Sequence, residues 1–209
     1  KTWDYVTGTR RVILKNYDNG FYGNDSFRKE WHDFFVDKLH KGETVYYEIV
    51  GYVNENTTIM PECSNKKTKD KEFIKQYGET TKFTYGCDVG QNDIYVYRMT
   101  MTNEDGRIVE YSTKYTQIRC EQMGVKLVPI FDKFIFTTVD DLMERVNKYV
   151  DGVDPIGKNH IKEGVVIRIE DRERFVAYKH KNFYFKVLEG IIKDVAESAD
   201  MEEMQEINE

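Results

Sequence analysis

The stretch Glu163-Gly164-Val165-Val166-Ile167-Arg168-Ile169-Glu170 opens on a carboxylate and continues in β-branched residues, the composition of a buried strand. Asp171-Arg172-Glu173 turns the chain. Phe175-Val176-Ala177-Tyr178-Lys179-His180-Lys181 then reads as a returning antiparallel strand. Its two lysines stand at i and i+2, a spacing that sends both ammonium groups to one face of a strand and His180 to the other. A glutamate and two same-face lysines at neighbouring strand ends can hold a divalent metal and a phosphate together. Taken alone, the hairpin fits equally a solvated edge whose lysines guard it against further pairing. The residues that separate the two readings lie upstream.

Such a hairpin needs other elements to position it. Val12-Ile13-Leu14 reads as a short strand led in by Thr9-Arg10-Arg11. From Ser26, as N-cap, Phe27, Trp31, Phe34, Phe35 and Leu39 recur with helical period until Gly42. Residues 45–53 form a strand. Residues 54–82 are polar, with Lys66, Lys67, Lys69, Lys71, Lys75 and Lys82; they read as a solvated loop and short helix, or more sharply as a surface for a phosphate backbone. Residues 94–100 are a strand that Asp105-Gly106 turns into a hairpin with residues 107–111. A helix over 115–123 closes at Gly124. The stretch 125–136 is extended, and Pro129 makes it an edge or irregular segment. Thr138-x-x-Asp141 has capping spacing and starts a helix with Val139, Leu142, Met143, Val146 and Val150 on one face. After the hairpin, a last helix uses Val187, Leu188, Ile191, Ile192 and Val195. Strands joined by hairpins, with helices interspersed and no βαβ rhythm, predict an α+β fold of antiparallel sheets with flanking helices.

A chain of 209 residues can bury one sizeable core. The net charge of −6 is unevenly placed: residues 194–209 carry seven acids and no Lys or Arg, which leaves residues 1–193 close to neutral and able to carry a basic groove. The domain is therefore expected over 1–193, with 194–209 an acidic tail continuing the last helix. Cys63, Cys87 and Cys120 are odd in number and widely spaced, and the four histidines have no ligand spacing. These patterns point to free thiols in a cytoplasmic protein and to neither a zinc site nor a disulfide framework. No apolar run approaches a membrane span.

Four segments now stand in order: Thr9-Arg10-Arg11, Tyr47-Glu48-Ile49-Val50-Gly51, Tyr95-Val96-Tyr97, and Glu163-Gly164-Val165-Val166 followed by Lys179-His180-Lys181. In this order and on these strands they resemble the nucleotidyltransferase motifs of ATP-dependent RNA ligases, phage-type, and the resemblance runs to about Ile192. It implies a ligase-type nucleotidyltransferase (ATP-grasp-like) domain. It also implies a three-step reaction: a lysine attacks the α-phosphate of ATP, AMP passes to an RNA 5′-phosphate, and a 3′-hydroxyl displaces AMP. By this resemblance Arg10 contacts phosphate or ribose, Glu48 accepts from a ribose hydroxyl and Tyr97 stacks on adenine. Glu163 helps bind Mg²⁺ or Mn²⁺, while Lys179 and Lys181 neutralise the α-phosphate. DNA ligases and mRNA guanylyltransferases share the motif order, and a non-catalytic RNA-binding or repair module could keep the fold. The family's nucleophile lies in Lys-x-Asp/His-Gly upstream of the Thr-Arg-Arg segment. Lys1-Thr2-Trp3-Asp4 lacks the glycine, and Lys148-Tyr149-Val150-Asp151-Gly152 has one residue too many, so the nucleophile is expected before Lys1.

Overall fold

The computed structural model describes residues 4–18 and 25–191. Helix α1 (Ser26–Phe35) leads into strands β1 (Glu43–Asn54) and β2 (Thr57–Thr58). Strand β3 (Cys63–Ser64), a 3₁₀ turn (Asn65–Thr68), helix α2 (Lys71–Tyr77) and strand β4 (Thr80–Thr81) follow. Next come β5 (Asn92–Thr102), β6 (Ile108–Glu110), α3 (Thr113–Met123), β7 (Lys126–Leu127) and α4 (Val139–Val150). Strands β8 (Gly164–Ile169) and β9 (Val176–Lys181) and helix α5 (Phe183–Glu189) complete the order. The fold is α+β and built on antiparallel sheet. The main sheet runs β2-β1-β5-β6, β3 pairs β4, and β8 pairs β9. One pairing departs from the expected pattern of hairpins: β7 lies parallel to β5, through Tyr95 and Val96. No helix among the described residues is long and apolar enough to cross a membrane.

Alternation along β1 and β5 builds the first core. Ile94, Val96 and Met99 are fully buried with Phe35, Cys120 and Met123, and Trp31, Val45, Tyr47 and Ile49 pack against them. Each such side chain contributes about 1.5–3 kcal/mol by leaving water. The aromatic stripe of α1 thus serves as core. Its start differs from expectation: Asp25 is the N-cap residue and Ser26 already helical, and the helix ends at Phe35 although Leu39 still reaches the core. A buried ion pair ties the beginning of β1 to α3. Arg119 donates to both Glu43 oxygens, from Nε at 2.8 Å and from Nη2 at 2.7 Å, and the Tyr111 hydroxyl donates to the same carboxylate at 3.2 Å.

The second core corrects the reading of 54–82 as merely solvated. Phe73 and Phe83 are buried there against Ile161, Phe185 and Leu188. Buried Asn65 holds the stretch in shape, donating to the Gly78 carbonyl at 2.9 Å and accepting from the Thr81 hydroxyl at 2.8 Å. The short helix expected there is α2, capped by the Asp70 carboxylate. Thr138 caps α4 as its spacing requires, accepting from the Asp141 N–H at 3.2 Å. Only the C-terminal half of that helix's apolar face is covered: Val146 and Val150 are buried, whereas Val139 is 64% exposed. Helix α5 starts four residues earlier than its apolar residues suggested. Asn182 caps it and Gly190 closes it in the left-handed conformation, so Ile191 lies beyond it. Ile192, Val195 and the acidic stretch 194–209 lie outside the described residues.

Candidate active site

The strand expected at Val12-Ile13-Leu14 reduces to one bridge, Gly8 to Ile13, closing a tight hairpin. Thr9 N–H donates to the Val12 carbonyl and Leu14 N–H to that of Thr7, each at 2.8 Å, which puts Arg10 and Arg11 at the tip. On the main sheet, β1 sends Val45, Tyr47 and Ile49 into the core and Tyr46 and Glu48 to the other face. The partner strand would place Tyr97 and Arg98 on opposite faces, but the register slips there. Tyr46 pairs with Arg98 and Tyr47 with Val96, so Tyr97 is a bulge residue. Both Val96 and Met99 therefore stay buried while Tyr97 and Arg98 share the outer face. Tyr97 is 38% exposed beside Tyr46, at a ring distance of 6.3 Å. Arg98 lies over the Tyr46 and Phe175 rings and pairs with Glu110.

In the β8–β9 hairpin, Gly164 pairs with Lys181, Val165 with His180 and Val166 with Lys179. The two lysines share the Gly164–Val166 face and His180 takes the other. Simple alternation would also send Glu163 to the His180 face. Gly164 breaks that alternation, with φ at 152°, and packs so closely on β9 that a Cβ would meet the His180 carbonyl oxygen at 2.3 Å. Glu163 is open to solvent on one side and enclosed by protein on the others. That burial pushes its carboxyl above the usual range, as do the neighbouring carboxylates Glu189 and Glu48, while Lys181 and Lys179 act in the opposite sense. Lys181 itself donates to Glu189 at 3.1 Å.

The six residues singled out in the sequence thus form one electrostatic neighbourhood. Lys179 and Lys181 couple to Glu163, and Glu48 couples both to Glu163 and to Tyr97. Arg10 joins through Tyr97, whose hydroxyl is raised first by burial and then by Glu48, against the effect of Arg98 and Arg10. The hairpin is fastened to the main sheet at its far end, where Arg98 lies over Phe175 and Arg168 donates to the Tyr111 carbonyl. Glu163 and Lys181 stand at the opposite end.

Two further residues belong to the same neighbourhood. Glu189 ends α5 beside Lys181 and Glu163. Tyr85 occupies a tight turn closed by Cys87 N–H to the Thr84 carbonyl at 3.0 Å. Both Tyr85 (φ 50°) and Gly86 (φ 76°) are left-handed there, a strained state for tyrosine. Its ring packs edge-on against buried His160. Its hydroxyl is held well above the usual phenol range, first by burial and then by Glu163, Asp154, Glu189 and Glu48. It is therefore a lasting proton donor. No local sequence pattern marks either residue. Glu189 could have drawn notice as a carboxylate in the last turn of a helix, where it is disfavoured.

Lys162, next to Glu163, has its ammonium drawn below the usual lysine range by burial, against Asp154 and Asp151. That is the direction a nucleophile needs, yet Lys162 donates to the Tyr149 carbonyl at 2.6 Å and to that of Asp151 at 3.1 Å. It closes the end of α4.

A magnesium ion commonly takes one or two protein carboxylates and completes its octahedron with water and phosphate oxygens. Glu163 with Glu48 or Glu189 nearby fits that donor set. Among the described residues no group of three or more His, Cys, Asp or Glu could hold a metal as a protein-only cage. Comparison with protein-family models, with curated proteins and with solved structures finds no match to this chain.

Proposed function

We propose that this chain is the nucleotidyltransferase body of an ATP-dependent RNA ligase, which activates an RNA 5′-phosphate and joins it to a 3′-hydroxyl. One observation carries the reading: segments as distant in sequence as Arg10 and Lys181 bring their polar side chains to one neighbourhood between the main sheet and the β8–β9 hairpin. A structural edge hairpin has no need of such convergence. The finer fold assignment, a ligase-type nucleotidyltransferase domain, rests on the same convergence and on the order of the motifs.

The residues suit distinct parts of a nucleotide. The exposed Tyr97 ring offers a face to a base, and Glu48 can accept from a ribose hydroxyl. Arg10, at a hairpin tip, can reach phosphate with its planar donors. Lys179 and Lys181 lie on one strand face, as two cations around a single phosphorus require. A divalent cation at Glu163 would supply charge neutralisation for the phosphates. The protein's own contribution is positioning and electrostatics, with donors held before the charge develops.

Incubation of the complete protein with α-labelled ATP and Mg²⁺ or Mn²⁺ tests this. The protein should take up label and pass it to a 5′-phosphorylated RNA. Glu163→Ala, Lys179→Ala and Lys181→Ala should each lower labelling by about 10²-fold, the scale of losing one electrostatic stabiliser. Unchanged labelling in all three variants would overturn the assignment.

A further inference from the structure

We propose that Glu189 is a positioning residue: by accepting from the Lys181 ammonium it fixes that side chain so that its remaining N–H donors face the phosphates of the bound nucleotide. The inference rests on the nucleotide-binding reading above and adds to it a residue that no sequence motif contains.

Glu189 stands where local physics disfavours a carboxylate twice over. It is the last residue of α5, and the C-terminal end of a helix carries partial negative charge. It also lies close enough to Glu163 to hold that carboxyl in its protonated form more strongly. A residue kept against both preferences needs a compensating partner, and Lys181 is that partner at 3.1 Å. Lys181 is only 8% exposed at its side chain, so its ammonium is confined and not a waving surface charge. An ammonium has three N–H donors; committing one to Glu189 fixes the direction of the other two.

The support behind Glu189 is rigid. Asn182 follows Lys181 directly, is itself buried, caps α5 by accepting from Phe185 N–H at 3.2 Å, and donates to the Asp151 carboxylate at 2.7 Å. Helix α5 is then anchored by the fully buried Phe185 and Leu188. Lys67 donates to the Leu188 carbonyl at 3.1 Å and satisfies the helix end next to Glu189. Two turns of helix thus return the chain to the lysine it has just left, with a carboxylate held on a fixed support.

Two measurements test the inference separately from the nucleotide reading. The first is ATP affinity in the presence of Mg²⁺ for the wild type, Glu189→Ala, Glu189→Gln, Lys181→Ala and the Glu189→Ala/Lys181→Ala double variant. Glu189→Ala should weaken ATP about tenfold, as for loss of a charge-assisted hydrogen bond, and Glu189→Gln should recover part of it through its amide oxygen. In the Lys181→Ala background Glu189→Ala should change nothing, and melting temperatures should not fall. The second is the rate at which an amine-acylating reagent modifies Lys181 in nucleotide-free protein, read by mass spectrometry. Glu189→Gln should raise that rate severalfold and leave Lys179 unaffected. Tighter ATP binding in Glu189→Ala, an effect of equal size without Lys181, or an unchanged acylation rate would each overturn the positioning role. Absence of ATP binding by the wild type together with a raised Lys181 rate would sink the nucleotide reading while leaving the Lys181–Glu189 coupling intact.

Discussion

Glu163 serves the cleft at the expense of the fold. Its carboxyl is raised above the ordinary range because burial disfavours the charged form and Glu189 and Glu48 add to that. A group whose folded value lies above its unfolded value stabilises the protein at low pH and loses that contribution as pH rises through the folded value. Ionised Glu163 is therefore a burden near neutrality. Glu163→Gln should raise the melting temperature at pH 7–8 and leave it unchanged near pH 4, which a thermal scan across pH checks. Metal-dependent nucleotide binding needs the ionised form, so in the wild type it should fade on acidification at a higher pH than an ordinary carboxylate gives, about 4.3. The residue types of this site were legible in the sequence where the chemistry is local, as in the i, i+2 lysines. Tyr85 and Glu189 were not legible, because only tertiary packing brings a turn tyrosine and a helix end to the same carboxylate.

The hairpin that carries Glu163 depends on Gly164. A side chain there would meet the His180 carbonyl oxygen at 2.3 Å and the Lys181 Cα at 2.8 Å, at a φ that other residues avoid. Gly164→Ala should cost about 2–4 kcal/mol in denaturant unfolding, from overpacking and backbone strain together, and should displace Lys181 from the cleft. An unaltered midpoint would mean that β8 and β9 are not packed this tightly. Hairpins and capped helices could be read from the sequence because their signals are short: Asp105-Gly106 turns β5 into β6, and Thr138 caps α4. The bulge at Tyr97 could not, since the run Ile94-Tyr95-Val96-Tyr97 alternates as any strand does and the slip shows only against Tyr46 and Tyr47. The second core was equally hidden, because Phe73 and Phe83 look like isolated rings in a lysine-rich stretch until Ile161, Phe185 and Leu188 close over them.

At the scale of the whole molecule, the first core is locked by Glu43 and Arg119, both nearly devoid of solvent contact. Burial raises the Glu43 carboxyl, but donation from Arg119 and from the His40 N–H brings it below the ordinary range. Its contribution is therefore present above the unfolded value, about 4.3, and lost as pH falls through the lower folded value. Arg119→Ala leaves that carboxylate buried without its cation and should destabilise the protein by about 3–5 kcal/mol, measured by urea unfolding at pH 7. A loss below 1 kcal/mol would show that the pair is solvated. The account's central claim concerns the cleft between this sheet and the β8–β9 hairpin, and calorimetric titration of residues 1–209 with ATP in Mg²⁺ tests it most directly. Saturable binding is expected, little changed by Tyr97→Phe, and weakened by about 1–3 kcal/mol in Tyr97→Ala, the value of one base–ring stack, with Lys181→Ala also impaired and melting temperatures preserved. Absence of ATP binding by the folded chain, or binding indifferent to both Tyr97→Ala and Lys181→Ala, would contradict it.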